Sequence, residues 1–389
     1  MILAPSEQTM WDVTRSDKPP KMSDDDINAK YDKGEKRILT EMNREKLPSF
    51  AASLKNPNYM EMRPFYQRRS RWDKKSQSRL IESFLINIPV PPIILYEKTY
   101  NSYEVMDGQQ RITTIQDFYE DKLKLTGLKI WPELEGRTYN QLPAKIKAGI
   151  DRRSISSIVL VTESTSDPEE ALFLKQLAFE RLNTGGVALS RQEIRHCLYY
   201  GEFDKLLLEL SQSPIFAQAW GIPIDNIEKL NQNNLYKKME DTELILRFFA
   251  LRNIENFRGG MEKFLDLYMM KSRNFSDEDI QILRDIFLKT IEVAHQIYED
   301  KLFKPFDPNS DSWKEKPYKA YYDALMVGFS NHLSDSEILI ERKHQVIEAT
   351  KELFRTKEAK LFTGQGRTKA DLETRIDLFN QMLEQIIEK

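Results

Sequence analysis

The sequence predicts an α+β class, in which a domain with a small sheet precedes a mostly α-helical one. Three observations predict it. Strand-like runs (Ile93–Tyr96, Tyr103–Val105 and Ser154–Thr162) are confined to the first half of the 389 residues. From Gly201 onward, apolar positions recur almost everywhere three and four apart, the period of helices packed through one face. Between the two patterns lies YEVMDGQQRITTIQDFY, Tyr103 to Tyr119, in which strand-formers pass into a helical pattern through one glycine.

In that stretch Tyr103 and Val105 favour a pleated strand, Gly108 permits a tight turn, and Ile112, Ile115 and Phe118 share a helix face. The first N–H groups of such a helix have no intrahelical partner and carry partial positive charge, which suits a phosphate. Asp107, Gly108, Gln109, Gln110, Arg111, Thr113 and Thr114 surround that opening. A purely structural reading also fits: Asp107 as cap, with Gln110 closing a capping box.

Length allows two or three domains. Residues 1 to 200 carry 31 Lys and Arg against 28 Asp and Glu, and residues 201 to 389 carry 27 against 33, so the halves stand near +3 and −6. The single cysteine, Cys197, excludes an internal disulfide framework and a zinc finger. The four histidines are scattered, which excludes a local histidine metal motif. With no apolar run near 18 residues and no secretory start, a soluble cytoplasmic protein is expected, away from membranes.

In chain order, residues 1–34 read as a loosely held arm that Trp11 and Tyr31 could anchor. Residues 35–200 read as the sheet-bearing domain and 201–389 as the helical one. Glu35 to Ala52 fits a helix interrupted near Pro48. Arg63 to Arg79 holds seven Lys or Arg against one acid, with Phe65, Tyr66 and Trp72 interleaved. Arg69, Arg71, Trp72, Lys74 and Lys75 are therefore candidates for phosphate neutralisation and base stacking, although a solvated basic face would look the same. Ser76 to Leu85 is an amphipathic helix, stopped by Pro89, Pro91 and Pro92 ahead of a buried strand. A polar hairpin-like region around Lys122 to Tyr139 and a short helix from Pro143 lead to the third strand. Asp167-Pro168-Glu169-Glu170 starts a helix that ends at Asn183-Thr184-Gly185-Gly186, a turn whose amides could hold phosphate or could simply cap the helix. Ser190-Arg191-Gln192-Glu193 opens the next.

Taken together, DGQQR with Thr113-Thr114, the upstream Tyr66-Gln67-Arg68 with Trp72, and the downstream FERLNTGGVALSRQEIR closely resemble the N-terminal domain family of GmrSD-type restriction endonucleases. The resemblance is collinear over about residues 35 to 200. It implies a ParB and sulfiredoxin-like domain with a small mixed sheet, and Mg²⁺-dependent binding and hydrolysis of a nucleoside triphosphate in defence against phage DNA. It further implies that Asp107, Gly108, Gln109, Gln110 and Arg111 are the nucleotide motif, joined by Thr113, Thr114, the Tyr66-Gln67-Arg68 loop and Asn183, Thr184 and Gly185. Asp107 is then the metal ligand, and Asp107, Arg111 and Arg68 the catalytic groups. The chain lacks the histidine cluster of an HNH domain, so cutting would fall to a partner chain. Two alternatives stay open: a non-catalytic, nucleotide-gated module binding DNA or a partner, and a ParB-like nuclease. The helical half leaves room for a homodimer.

Overall fold

A computed structural model describes residues 3–11, 23–32, 39–61, 72–99, 101–161, 177–178 and 190–389. The chain divides into two compact units, Pro20–Ala188 and Met1–Pro19 with Leu189–Lys389.

The first unit is built on a five-stranded sheet: β1 (Leu39–Lys46), β2 (Met60–Glu61), β3 (Ile93–Thr99), β4 (Ser102–Asp107) and β5 (Ser154–Val161), in the order β1-β5-β3-β4-β2. The sheet is mixed. β1/β5 and β3/β4 are antiparallel, while β5/β3 and β4/β2 are parallel. Helices α1 (Leu47–Ser53), α2 (Lys74–Leu85), α3 (Gln109–Tyr119) and α4 (Ala144–Asp151) belong to the same unit. Leu47 and Phe50 of α1, Leu80, Ile81 and Phe84 of α2, and Ile112, Ile115 and Phe118 of α3 form one core with Ile93, Leu95, Val105, Ile155 and Val159. Period-2 and period-3.6 residues thus meet on one face of the sheet, which is what fixes the register of each element.

Two local expectations are corrected here. The helix expected over Glu35 to Ala52 is a strand followed by a helix, with Pro48 in the first turn of α1. β1 is an edge strand and its Met42 is 77% exposed, so Met42 marks no buried helix face. The hairpin-like region Lys122 to Tyr139 contains no strand. Leu125 bonds across it to two residues: its N–H donates to the Arg137 carbonyl at 3.0 Å and its carbonyl accepts from the Gly136 N–H at 2.7 Å. The helix expected after Asp167 lies outside the described residues apart from Leu177 and Ala178.

The second unit is helical, as the periodicity predicts. Glu240–Leu251, Gly260–Lys271, Asp277–Tyr298, Lys319–Asn331 and Lys369–Ile387 enclose Phe248, Phe249, Phe264, Phe287, Tyr321, Tyr322 and Phe379. The helix expected over Ser334 to Phe354 is broken into Ser336–Glu341 and Lys343–Arg355 at Arg342, whose guanidinium donates to the Ile386 carbonyl. Asp323, fully buried, serves two cations: Arg247, through both carboxylate oxygens, and Arg375 at 3.8 Å. Replacing Asp323 by alanine leaves two guanidinium groups without their carboxylate. The expected result is a loss of roughly 3–5 kcal/mol, read as a lower denaturant midpoint of the helical unit.

This unit reclaims both ends of what the sequence assigns elsewhere. The loose arm expected over residues 1–34 does not hold for residues 3–11. Pro5–Thr9 is helical, and the fully buried Glu7 carboxylate accepts from Tyr268 Oη at 2.6 Å and Asn253 Nδ2 at 3.1 Å. Trp11 stacks on Phe264 and donates to Asn253 Oδ1 at 3.0 Å. Asp24–Asp32 is also helical. The boundary expected at residue 200 falls instead before the Arg191–Leu198 helix. Buried Arg195 there pairs with Asp266 at 2.7 Å and Glu243 at 2.8 Å, and Arg191 pairs with Asp266 at 2.6 Å.

Ser6 donates to Asp279 through both N–H and hydroxyl. Burial pushes the Asp279 carboxyl up, but hydrogen bonds from Ser6 and Ser276 outweigh it and hold it below the ordinary 3.8. A depressed carboxylate stabilises above its unfolded pKa, and the contribution is lost as pH falls through the folded value. Docking of residues 3–11 should therefore weaken below about pH 4, seen as faster hydrogen exchange at the Ser6 and Glu7 amides. In Asp279→Asn that exchange should already be fast at neutral pH.

Candidate functional site: the turn from β4 into α3

β4 delivers Asp107 opposite Ile94 of β3, and the chain then turns through Gly108 into α3. Gly108 is the N-cap at φ +96°, in the left-handed region that favours glycine. A Cβ there would lie 2.6 Å from Ile93 Cγ2 and 3.0 Å from Arg111 Nη2. The glycine is thus required twice, by its dihedral and by the side chains packed against it.

The capping-box reading does not describe this turn. The cap residue offers no side chain, Asp107 turns to Arg111 at 2.7 Å, and Gln110 Oε1 accepts from the Trp72 N–H at 3.0 Å. The start of α3 is left without a side-chain cap. Its partial positive charge is joined by Arg111, whose side chain is only 13% exposed while that of Asp107 is 52% exposed. Arg111 Nη2 also donates to the Pro92 carbonyl at 3.2 Å, which aims the guanidinium along the β3 end. Its Nε, and the Thr113 hydroxyl, are buried with no hydrogen-bond partner among the described residues. Buried polar atoms are seldom left unsatisfied, and here two of them belong to consecutive turns of one helix start.

The other predicted residues divide. Gln109 is half-buried in the first turn. Thr114 is fully buried, and its hydroxyl donates to the Gln110 carbonyl at 2.7 Å, so it faces the helix and the core rather than the opening. Trp72 is half-buried against the sheet unit's core, while Lys74 and Lys75 stand exposed in the first turn of α2, behind the Asp73 cap. Tyr66, Gln67, Arg68, Arg69, Arg71, Asn183, Thr184 and Gly185 lie outside the described residues. Sequence reasoning missed Pro92 and Ile93 as parts of the site; the only signal was that the proline run delivers the chain into a buried strand. Among the described residues no group of three His, Cys, Asp or Glu side chains converges.

A cavity of about 40 Å³ opens on the same sheet face, lined by Asn43, Glu45, Tyr59, Tyr103 and Ser157 over Ile93 and other apolar residues. Burial, with Glu45 and Tyr103 nearby, pushes the Tyr59 hydroxyl up to about 12.

No helix among the described residues is long and apolar enough to cross a membrane. No curated protein and no solved structure matches the chain. A family match covers the turn and its supporting elements: residues 50–200 fit the GmrSD restriction endonuclease, N-terminal domain. Those residues, fewer than half of the 389, carry a GmrSD restriction endonuclease N-terminal domain, a family of the restriction, phage-defence class.

Proposed function

We propose that the turn at Asp107–Arg111 binds the phosphates of a nucleoside triphosphate, and that the chain is the nucleotide-hydrolysing subunit of a restriction system acting on DNA. The observation that carries this is the uncapped start of α3 beside a largely buried guanidinium whose Nε has no partner. Phosphoryl transfer requires positioning and charge neutralisation more than a covalent nucleophile. An arginine, backbone amides and one carboxylate are sufficient parts for that.

Asp107 fits a Mg²⁺ ion: it is an exposed oxygen donor, and such ions are usually held by one or two carboxylates together with substrate phosphates. Mg²⁺ would supply neutralisation of phosphate charge there. The residues of this chain do the rest. A phosphate entering the turn meets the α3 amides and draws Arg111 from Asp107, which releases the carboxylate to a metal or to a water. Arg68, Tyr66, Gln67 and the Asn183-Thr184-Gly185 turn are proposed to complete the pocket. DNA cutting is assigned to an HNH partner chain.

The test is nucleotide titration of the purified chain, followed by phosphate release with each nucleoside triphosphate and Mg²⁺, with and without DNA. Binding together with release is the expected result. Binding without release leaves a nucleotide-gated module, and metal-dependent nicking of plasmid by this chain alone would make it a nuclease.

A further inference from the structure

Glu45 of β1 is a half-buried carboxylate that no lysine or arginine among the described residues pairs with. It lies two residues from Asn43, so both side chains leave the same face of the sheet, opposite Ile155 and Ser157 of β5. Ser157 is in turn opposite Ile93 of β3. Phe50 of α1, Tyr59 and Tyr103 complete the lining of the cavity described above, with the two tyrosine rings edge-on at 5.6 Å.

Burial pushes the Glu45 carboxyl up from its ordinary 4.5, opposed only by a hydrogen bond from the Ser53 hydroxyl at 3.3 Å. Lys46, the next residue, leaves the other face of the strand and donates to the Arg152 carbonyl at 2.6 Å. The negative charge of Glu45 is felt at the Tyr59 hydroxyl, which it helps to keep protonated. The other polar groups of the lining do not satisfy one another. Among the described residues, the Asn43 amide and the hydroxyls of Tyr59 and Ser157 have no hydrogen-bond partner.

These surroundings set the chemistry of an occupant. A desolvated carboxylate favours a positive charge, and the oxygens beside it favour N–H donors. Aromatic sides and an apolar floor favour an aliphatic stem, and the rings also attract cations. A metal ion does not suit the place: aromatic and apolar groups stand where its further oxygen ligands would be, and no three acidic, histidine or cysteine side chains converge among the described residues. An ammonium group does suit it, being compact, with three donors and no acceptor.

We propose that this cavity binds the ammonium head of an aliphatic amine. Glu45 is the counter-ion and the Tyr59 hydroxyl a second acceptor, while Ile93 and Ile155 lie under the first methylene groups.

The test is NMR of the full chain labelled at its isoleucine methyls, titrated with propylammonium and, in parallel, with propanol, which has the same shape and no charge. The Ile93 and Ile155 signals should move with propylammonium, saturating at about millimolar concentration as befits so small a ligand, and should stay still with propanol. Glu45→Gln should weaken the binding about tenfold or more, and Tyr59→Phe about threefold. The unfolding midpoint of Glu45→Gln should be unchanged or higher, because a desolvated charge is removed. Two further amines identify the source: tighter binding of putrescine than of Nα-acetyl-lysine amide assigns the site to a free amine, and the reverse order to a lysine side chain. No movement with propylammonium, equal movement with propanol, or wild-type affinity in Glu45→Gln overturns the proposal. So does a lowered midpoint in Glu45→Gln, which would mean that the carboxylate already serves a cation of its own chain.

Discussion

Arg111→Ala is expected to slow phosphate release by about a hundredfold or more and to weaken nucleotide binding, because it removes the one largely buried cation described beside the start of α3. The ion pair with half-exposed Asp107 should contribute no more than about 1 kcal/mol, and loss of the largely buried Arg111 stem and of its hydrogen bond to the Pro92 carbonyl should add about 1–3 kcal/mol. Arg111→Lys separates charge from shape: it keeps the charge but cannot reach Asp107 and the Pro92 carbonyl with one planar fork, and should fall between alanine and wild type. Phosphate release and nucleotide titration on the three proteins, each with a thermal unfolding control, provide the check. A wild-type rate in Arg111→Ala would remove this turn from the chemistry.

Gly108→Ala should be the costliest single change in the same turn. The left-handed backbone alone costs about 1–2 kcal/mol for a residue with a Cβ. The new methyl would also press on Ile93, which is fully buried and cannot step aside; overpacking of that kind costs about 1–3 kcal/mol. The two together predict a loss of roughly 2–5 kcal/mol from the sheet unit. Gly136→Ala is the internal standard. It has φ +76° with nothing within 4 Å of a new Cβ, so it should show the backbone strain alone. Equal denaturant midpoints for the two variants would mean that Ile93 does not brace the turn.

How legible was all this in the sequence? Where one physical signal dominated, it was enough. The three central strands, the start of α3 at the glycine and the long helices after residue 240 each have a strong apolar period or a clear stop, and the structure has them there. β1 escaped because an edge strand buries only part of its length and Leu39 and Met42 happen to fall at helical spacing. The anchoring of residues 3–11 escaped because Glu7 and Trp11 find partners 242 to 261 residues away, a distance no local pattern encodes. At the site itself, DGQQR was readable as a turn with a cation. That Gln110 ties to Trp72, that Thr114 belongs to the core, and that Ile93 closes the turn all depend on tertiary contacts.

The anchoring of residues 3–11 also sets an order of events during synthesis. Glu7 and Ser6 find Asn253, Tyr268 and Asp279 only after those residues have been made, up to 273 positions later. At the usual pace of translation that is some tens of seconds, during which the whole sheet unit is made and can fold. A segment made well before its partners is therefore among the last to reach its place. A ribosome stalled before residue 253 would hold a chain whose early apolar side chains, Trp11 among them, are still looking for cover.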